Sequence, residues 1–223
     1  MVFRLVSATP SPFARINRIA MLEKGIPFEL QTEIPWHKSE TVTPKYNPLE
    51  KLPILFDPED STFEPVYDSA HIQEYIIQKF ASQGPKLLTG DLDLDLKARQ
   101  IQVLAEGVMD AGVLEFFEVA RPEGSRSKEW VERQARKVDG GFRAFDQMVR
   151  EKKGQWLVGD GKVMTIADIA VVCAVGFLDF QGARKEWRGQ YPELVKWFEG
   201  IDERESFAST RPVMFDIQLK SVI

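Results

Sequence analysis

The residues best suited to chemistry lie in two short stretches, Asn47-Pro48-Leu49-Glu50-Lys51-Leu52-Pro53 and, a little further on, Tyr67-Asp68-Ser69. The first brings a base and a proline to the start of the aliphatic run Ile54-Leu55-Phe56. The second puts an acid and a hydroxyl where a helical pattern begins. Between them, Asp57-Pro58-Glu59-Asp60 has turn composition, so residues 54–56 and 63–67 read as the two strands of a hairpin. That hairpin brings Lys51, Leu52, Asp68 and Ser69 to one end of a small sheet, with a helix N-terminus aimed at the same spot. Such an end offers oriented N–H groups and a positive dipole to an anion. The set suits a ligand that carries both carboxylates and an ammonium group.

A third stretch, Ala8-Thr9-Pro10-Ser11-Pro12-Phe13-Ala14-Arg15, follows a short apolar strand at 2–7. It leads into a helical pattern through Ile16, Ile19, Ala20 and Leu22, with Gly25 just beyond as a C′ glycine. Ser11 is placed to cap this helix, and Pro12 falls at N1, where a missing N–H costs nothing. Residues 28–33 alternate as a second strand. Strand, helix, strand implies a right-handed crossover and a parallel pair. The hairpin adds two more strands, and a helix carrying Ile72, Ile76 and Phe80 closes the unit.

Residues 82–93 break every periodicity, through Gln83-Gly84-Pro85 and Thr89-Gly90-Asp91, and mark the domain boundary. The two domains are expected at 1–82 and 92–223. The repeat Asp91-Leu92-Asp93-Leu94-Asp95-Leu96 is short and reads as linker and helix entry. Beyond it the pattern is helical throughout. One segment carries Ile101, Leu104, Ala105, Val108 and Gly112. Another runs from about 127 to 152, with Gly140-Gly141 as a weak point or a close-packing site. A third, 165–180, is almost wholly apolar and belongs at the centre of this half. Thr165 and Asp168 resemble a capping box at its start, and Pro192 opens a further helix.

Composition bounds the function. A chain of 223 residues with 43% hydrophobic and 28% charged residues is ordinary for a globular protein with a real core. A net charge of −5 argues against nucleic acid or an anionic membrane as the main partner. One cysteine, Cys173, forms no intrachain disulfide and fits a reducing compartment; it sits in the apolar helix as filler. Two histidines and no ligand spacing argue against a metal site. No apolar run approaches the ~18 residues of a membrane span, and the N-terminus lacks a signal-peptide pattern. The cytosol is the expected location.

The stretches Ser11–Arg15, Asn47-Pro48 through Leu52-Pro53, Asp68-Ser69, and Thr165–Asp168 with Tyr191-Pro192-Glu193-Leu194 together resemble the glutathione transferase family over almost the whole chain. The Ser-Pro start is similar to the serine-type bacterial and fungal branches. It departs from the branches that place a cysteine there. The resemblance implies an α/β thioredoxin-like N-terminal domain followed by an all-α helical bundle. It implies glutathione as co-substrate, with no metal, and a homodimer. It makes Ser11 the hydroxyl facing the glutathione sulfur, and Leu52, before a cis Pro53, the backbone partner of the cysteinyl unit. Asp68 and Ser69 would hold the γ-glutamyl ammonium and carboxylate, and Lys51, with His37 and Lys38, the glycyl carboxylate. Phe13, Met109, Phe116 and Phe117 would contribute to an electrophile pocket.

Each of these residues has a plainer role available. Ser-Pro and Asp-Ser are favoured helix starts, and His37-Lys38 has the look of a solvated loop pair. Phe116, Phe117 and Met109 are ordinary core residues, and an X-Pro bond is trans by default. Two functional classes follow. One is an enzyme that activates glutathione as a thiolate against a hydrophobic electrophile, with peroxide reduction or isomerisation as variants. The other is a non-catalytic transferase-like module for protein interaction or ligand carriage. Ser11, Asp68 and Ser69 occurring together favour the enzyme.

Overall fold

The computed structural model describes residues 2–34, 41–59 and 65–214. The chain forms two compact units: Met1–Lys86 together with the chain from Thr210 onward, and Leu87–Ser209.

In the first unit the order is β1 (Phe3–Ser7), α1 (Pro12–Glu23), β2 (Phe28–Thr32), α2 (Thr43–Tyr46), β3 (Ile54–Phe56) and α3 (Ser69–Lys79). β1 lies in the middle of the sheet, and the order is β2-β1-β3. It pairs parallel to β2, with Leu5 opposite Leu30, and antiparallel to β3, with Leu5 opposite Leu55. Its central position explains why Leu5 and Val6 are fully buried. Among the described residues, the second hairpin strand expected at 63–67 is a single antiparallel bridge, Leu55 to Val66. Phe63 lies outside them.

α1 buries Ala14, Ile16, Ile19, Ala20 and Met21, and α3 buries Ile72 and Ile76. These two helices pack on each other. Their C-terminal ends are tied by Lys24, whose Nζ donates to the carbonyls of Phe80 at 2.9 Å and Gln83 at 3.0 Å. Burial of this ammonium lowers its pKa. Asp57, just past β3, accepts from Tyr75 Oη and Lys79 Nζ of α3, each at 2.5 Å. Thr210 belongs to this unit as well, its Oγ1 accepting from Arg15 Nε at 3.4 Å. The division between Lys86 and Leu87 falls within the stretch that breaks the sequence periodicity, and the return of the chain at Thr210 is a long-range feature that periodicity cannot show.

The second unit holds α4 (Leu92–Ala120), a 3₁₀ turn at Glu123–Ser125, α5 (Lys128–Glu151), α6 (Ile166–Gln181), α7 (Trp187–Gln190), α8 (Pro192–Asp202) and α9 (Glu205–Ala208). α6 is the central element, every residue from Ile166 to Leu178 being buried. The Asp-Leu repeat is the entry of α4. Asp91 Oδ1 caps the N–H groups of Asp93 and Leu94, both at 3.1 Å, and Asp95 accepts from Thr89 N at 2.7 Å. Gly141 is a close-packing site: a Cβ there would come within 2.3 Å of Val108 Cγ2, where α5 crosses α4. Among the described residues no helix is long and apolar enough to cross a membrane.

Candidate functional site

Ser11 is the N-cap of α1. Its backbone is extended, and its Oγ accepts from the N–H of Ala14 at 3.2 Å. A hydroxyl that accepts through a lone pair keeps its own hydrogen for another partner. The side chain is half-buried, and no acid stands in the first turn of α1 to neutralise the positive end of the helix. Phe13 follows, also half-buried. This end of the molecule therefore pairs one O–H donor with one helix N-terminus.

The loop before β3 is built on Asn47, which is 2% exposed. Its Nδ2 donates to Lys51 O at 2.9 Å, its Oδ1 accepts from Leu49 N at 2.9 Å, and its carbonyl accepts from Glu50 N at 2.9 Å. Glu50 takes the left-handed conformation that this tight turn needs, with φ +53°. Lys51 comes out of the turn exposed, Leu52 half-buried and Pro53 buried, and the Leu52–Pro53 bond is cis.

Upstream, the buried carboxylate of Glu33 collects five hydrogen bonds. The donors are the hydroxyl of Thr41, the N–H groups of Val42 and Thr43 at 3.1 Å each, Thr43 Oγ1 at 2.7 Å and Gln31 Nε2 at 2.6 Å. Desolvation pushes its pKa up, but the hydrogen bonds outweigh it and the net shift is downward. The result fixes the start of α2, which delivers the chain to Asn47. From sequence, Glu33 is only the end of a strand.

Asp68 is the N-cap of α3, its Oδ1 accepting from His71 N at 3.2 Å. Its side chain is exposed, while Ser69 behind it is 5% exposed. The Tyr67–Asp68 bond is cis as well. No acid stands in the first turn of α3.

The register brings these pieces to one edge. Ile54 pairs with Val6, so the chain at 51–53 runs beside the end of β1 from which the loop to Ser11 departs. The Leu55–Val66 bridge sets 67–69 alongside 52–54. Two helix N-termini, a hydroxyl, an acid and a lysine thus belong to one end of a three-stranded sheet. His37 and Lys38 lie outside the described residues.

The remaining expected residues are in the second unit. Met109 is fully buried on α4, and Phe116 and Phe117 are half-buried, their rings edge to face at 5.5 Å. Cys173 is fully buried in α6. Asp168 is the capping-box acid of that helix. It accepts from Leu157 N and Thr165 N at 2.8 Å and from Thr165 Oγ1 at 3.0 Å. Burial pushes its carboxyl up to about 6 against those three bonds. Among the described residues no group of three or more His, Cys, Asp or Glu is placed to hold a metal ion.

Comparison with known proteins agrees with this architecture. Residues 10–79 match the glutathione S-transferase N-terminal domain and residues 128–200 the glutathione S-transferase C-terminal domain. The uncharacterized GST-like protein YibF of Escherichia coli K12 is 37% identical over 211 residues, which is 94% of this chain and 98% of YibF. A glutathione S-transferase from Methylobacterium radiotolerans, crystallised with glutathione sulfonate, superposes with a TM-score of 0.89 at 41% identity, covering 98% of both chains. Another, from Methylobacillus flagellatus KT with glutathione bound, gives 0.85 at 33% identity over 95% of this chain and 100% of that one. The chain belongs to the glutathione transferase family, with a small α/β domain of thioredoxin-like fold followed by a mostly helical one.

Proposed function

We propose that the protein is a glutathione transferase that holds glutathione at the sheet end described above and activates it as a thiolate. The observation that carries this is the convergence of two helix N-termini, one capped by the Ser11 hydroxyl and one by the exposed Asp68 carboxylate with Ser69 behind it, on the edge formed by 51–54. In this account Ser11 Oγ–H donates to the glutathione sulfur, and the N-terminus of α1 adds its dipole. Leu52, ahead of cis Pro53, pairs its backbone with the cysteinyl unit as an added strand would. Asp68 takes the γ-glutamyl ammonium through the carboxylate oxygen that its cap does not use. Ser69 takes the neighbouring carboxylate. Lys51, joined by His37 and Lys38, meets the glycyl carboxylate.

The chemistry follows from the charge. Lowering a thiol pKa by ~2 units requires about 2.7 kcal/mol, which a charge-assisted hydrogen bond and a helix dipole together supply. The thiol proton leaves to solvent. The sulfur lone pair then forms a bond to a hydrophobic electrophile, whose displaced electrons leave with its departing group or settle on its acceptor atom. Phe116 and Phe117, half-buried on α4, are assigned to the electrophile pocket, whereas Met109 is fully buried and serves the core of the helical unit. The relatives crystallised with glutathione and glutathione sulfonate support the ligand assignment.

The cell context belongs to the same proposal: a cytoplasmic enzyme of detoxification, working as a homodimer. Leu92, Leu96 and Val103 are 75%, 55% and 62% exposed on α4, an apolar stripe that a second copy would cover. Calorimetry with glutathione and a conjugation assay with an activated chlorodinitrobenzene test the function together. Saturable binding with turnover is expected. Binding without turnover across several electrophile classes, or no binding at all, would overturn the enzyme and favour the non-catalytic module.

A further inference from the structure

The helical unit contains a cavity of about 400 Å³, bounded by the middle of α5 and by the chain from the end of α6 to the start of α8. Its size falls within the range of small-molecule sites. One wall is aromatic and rigid. Phe142 lies parallel to Tyr191, 5° between planes and 6.0 Å between centroids, and near-parallel to Trp187 at 5.4 Å. Trp187 is fixed in turn by donating from Nε1 to Asp179 Oδ1 at 2.7 Å. Tyr191 is the half-exposed member of the stack, while Phe142 and Trp187 are buried.

The charges around this wall divide into committed and uncommitted. Arg184 forks onto Glu115 at 3.1 and 3.0 Å and reaches Asp139 at 2.7 Å, so its charge is more than offset within the protein. Arg143 of α5 and Lys185 of the turn also line the cavity, and both are exposed. Glu186 stands with them on the rim, and Arg143 and Lys185 are the two lining cations that no ion pair among the described residues engages.

We propose that this cavity binds a small aromatic carboxylate, its ring against Tyr191 and its carboxylate between Arg143 and Lys185. Aromatic side chains offer flat apolar area, and cations on two separate elements select an anion over a neutral ring of the same shape. The site is independent of glutathione binding and uses none of its residues.

The test is calorimetric titration of the full chain with naphthoate, and with naphthamide as the neutral isostere, in the presence of saturating S-hexylglutathione. Quenching of tryptophan emission is followed in parallel. Saturable naphthoate binding is expected, with naphthamide and the Arg143→Ala and Lys185→Ala variants each weaker by about 10-fold. Arg143→Lys should recover most of the affinity. Trp187→Phe should remove the quenching and keep the heat. Both cationic residues are exposed, so their variants will fold. No saturable heat, or an affinity unchanged in both alanine variants, overturns the proposal.

Discussion

Asn47 and Lys51 are linked across a tight turn by one hydrogen bond, Asn47 Nδ2 to Lys51 O at 2.9 Å, and the same side chain accepts from Leu49 N. The turn's shape therefore depends on a buried amide that contacts no ligand in the proposed mechanism. What it presents is the exposed Lys51 and the backbone of Leu52.

Replacing that amide separates positioning from contact. Asn47→Ala leaves the part-buried Lys51 carbonyl and Leu49 N–H without this partner, which should destabilise the protein by about 1 kcal/mol. Glutathione affinity should fall by about 10-fold as Lys51 and Leu52 lose their set orientation. Denaturant titration and calorimetry read the two effects separately. An affinity equal to wild type would show that this turn does not organise the site.

Asp68 carries the most direct prediction about ligand contact. Asp68→Ala should weaken glutathione binding by about 2–4 kcal/mol, because a desolvated ammonium loses its counter-charge. The folded state should lose only about 1 kcal/mol, the ordinary worth of a cap. If calorimetry finds both numbers small, the γ-glutamyl end lies elsewhere.

Glu33 sets a pH dependence of one sign. Its folded pKa is lowered below the ordinary 4.5, so its contribution to stability is complete above that value. It is lost as pH falls through the lower, folded value. Glu33→Gln should lower stability at pH 7 and flatten the acid limb of the denaturation curve. An unchanged acid limb in the variant would remove Glu33 from the account.

Asp168 works in the opposite sense. Its carboxyl is raised from 3.8 to about 6, so between those values the folded state binds more protons than the unfolded one. Its contribution to stability should fall as pH rises across that window, and level off above about 6. Urea midpoints of the wild type and of Asp168→Asn, taken from pH 3.5 to 7, test this. The variant should be less stable at every pH, because it loses acceptor capacity, and should lack this slope.

Much of the architecture was legible because its signals are local. Ser11-Pro12, Asp68-Ser69, Asp91, and Thr165 with Asp168 each announce a helix start within four residues, and the helices begin there. The parallel β1–β2 pair follows from strand-helix-strand order alone. What escaped is tertiary or too short. Asn47 stands in a quoted motif, but its partner is a backbone carbonyl, which leaves no trace in residue type. Glu33 meets four of its five donors across an intervening stretch of chain. Gly141 looks the same in sequence whether it weakens α5 or lets Val108 approach. α2, α7 and α9 are four residues each, shorter than the period by which a helix is recognised. The cavity beside Tyr191 depends on three elements brought together by folding.

The central claim is that Ser11 is more than a cap, and the pH–rate profile of conjugation tests it. Wild type should show an acidic limb about 2 units below that of free thiol chemistry, whose pKa is about 8.5. Ser11→Ala should move that limb toward the free value and slow turnover by ~10²-fold, with glutathione affinity nearly unchanged. Ser11→Thr, which keeps both the cap and the hydroxyl, should stay close to wild type. A Ser11→Ala enzyme with wild-type turnover and the same acidic limb would contradict the account, and Ser11 would then be a helix cap alone.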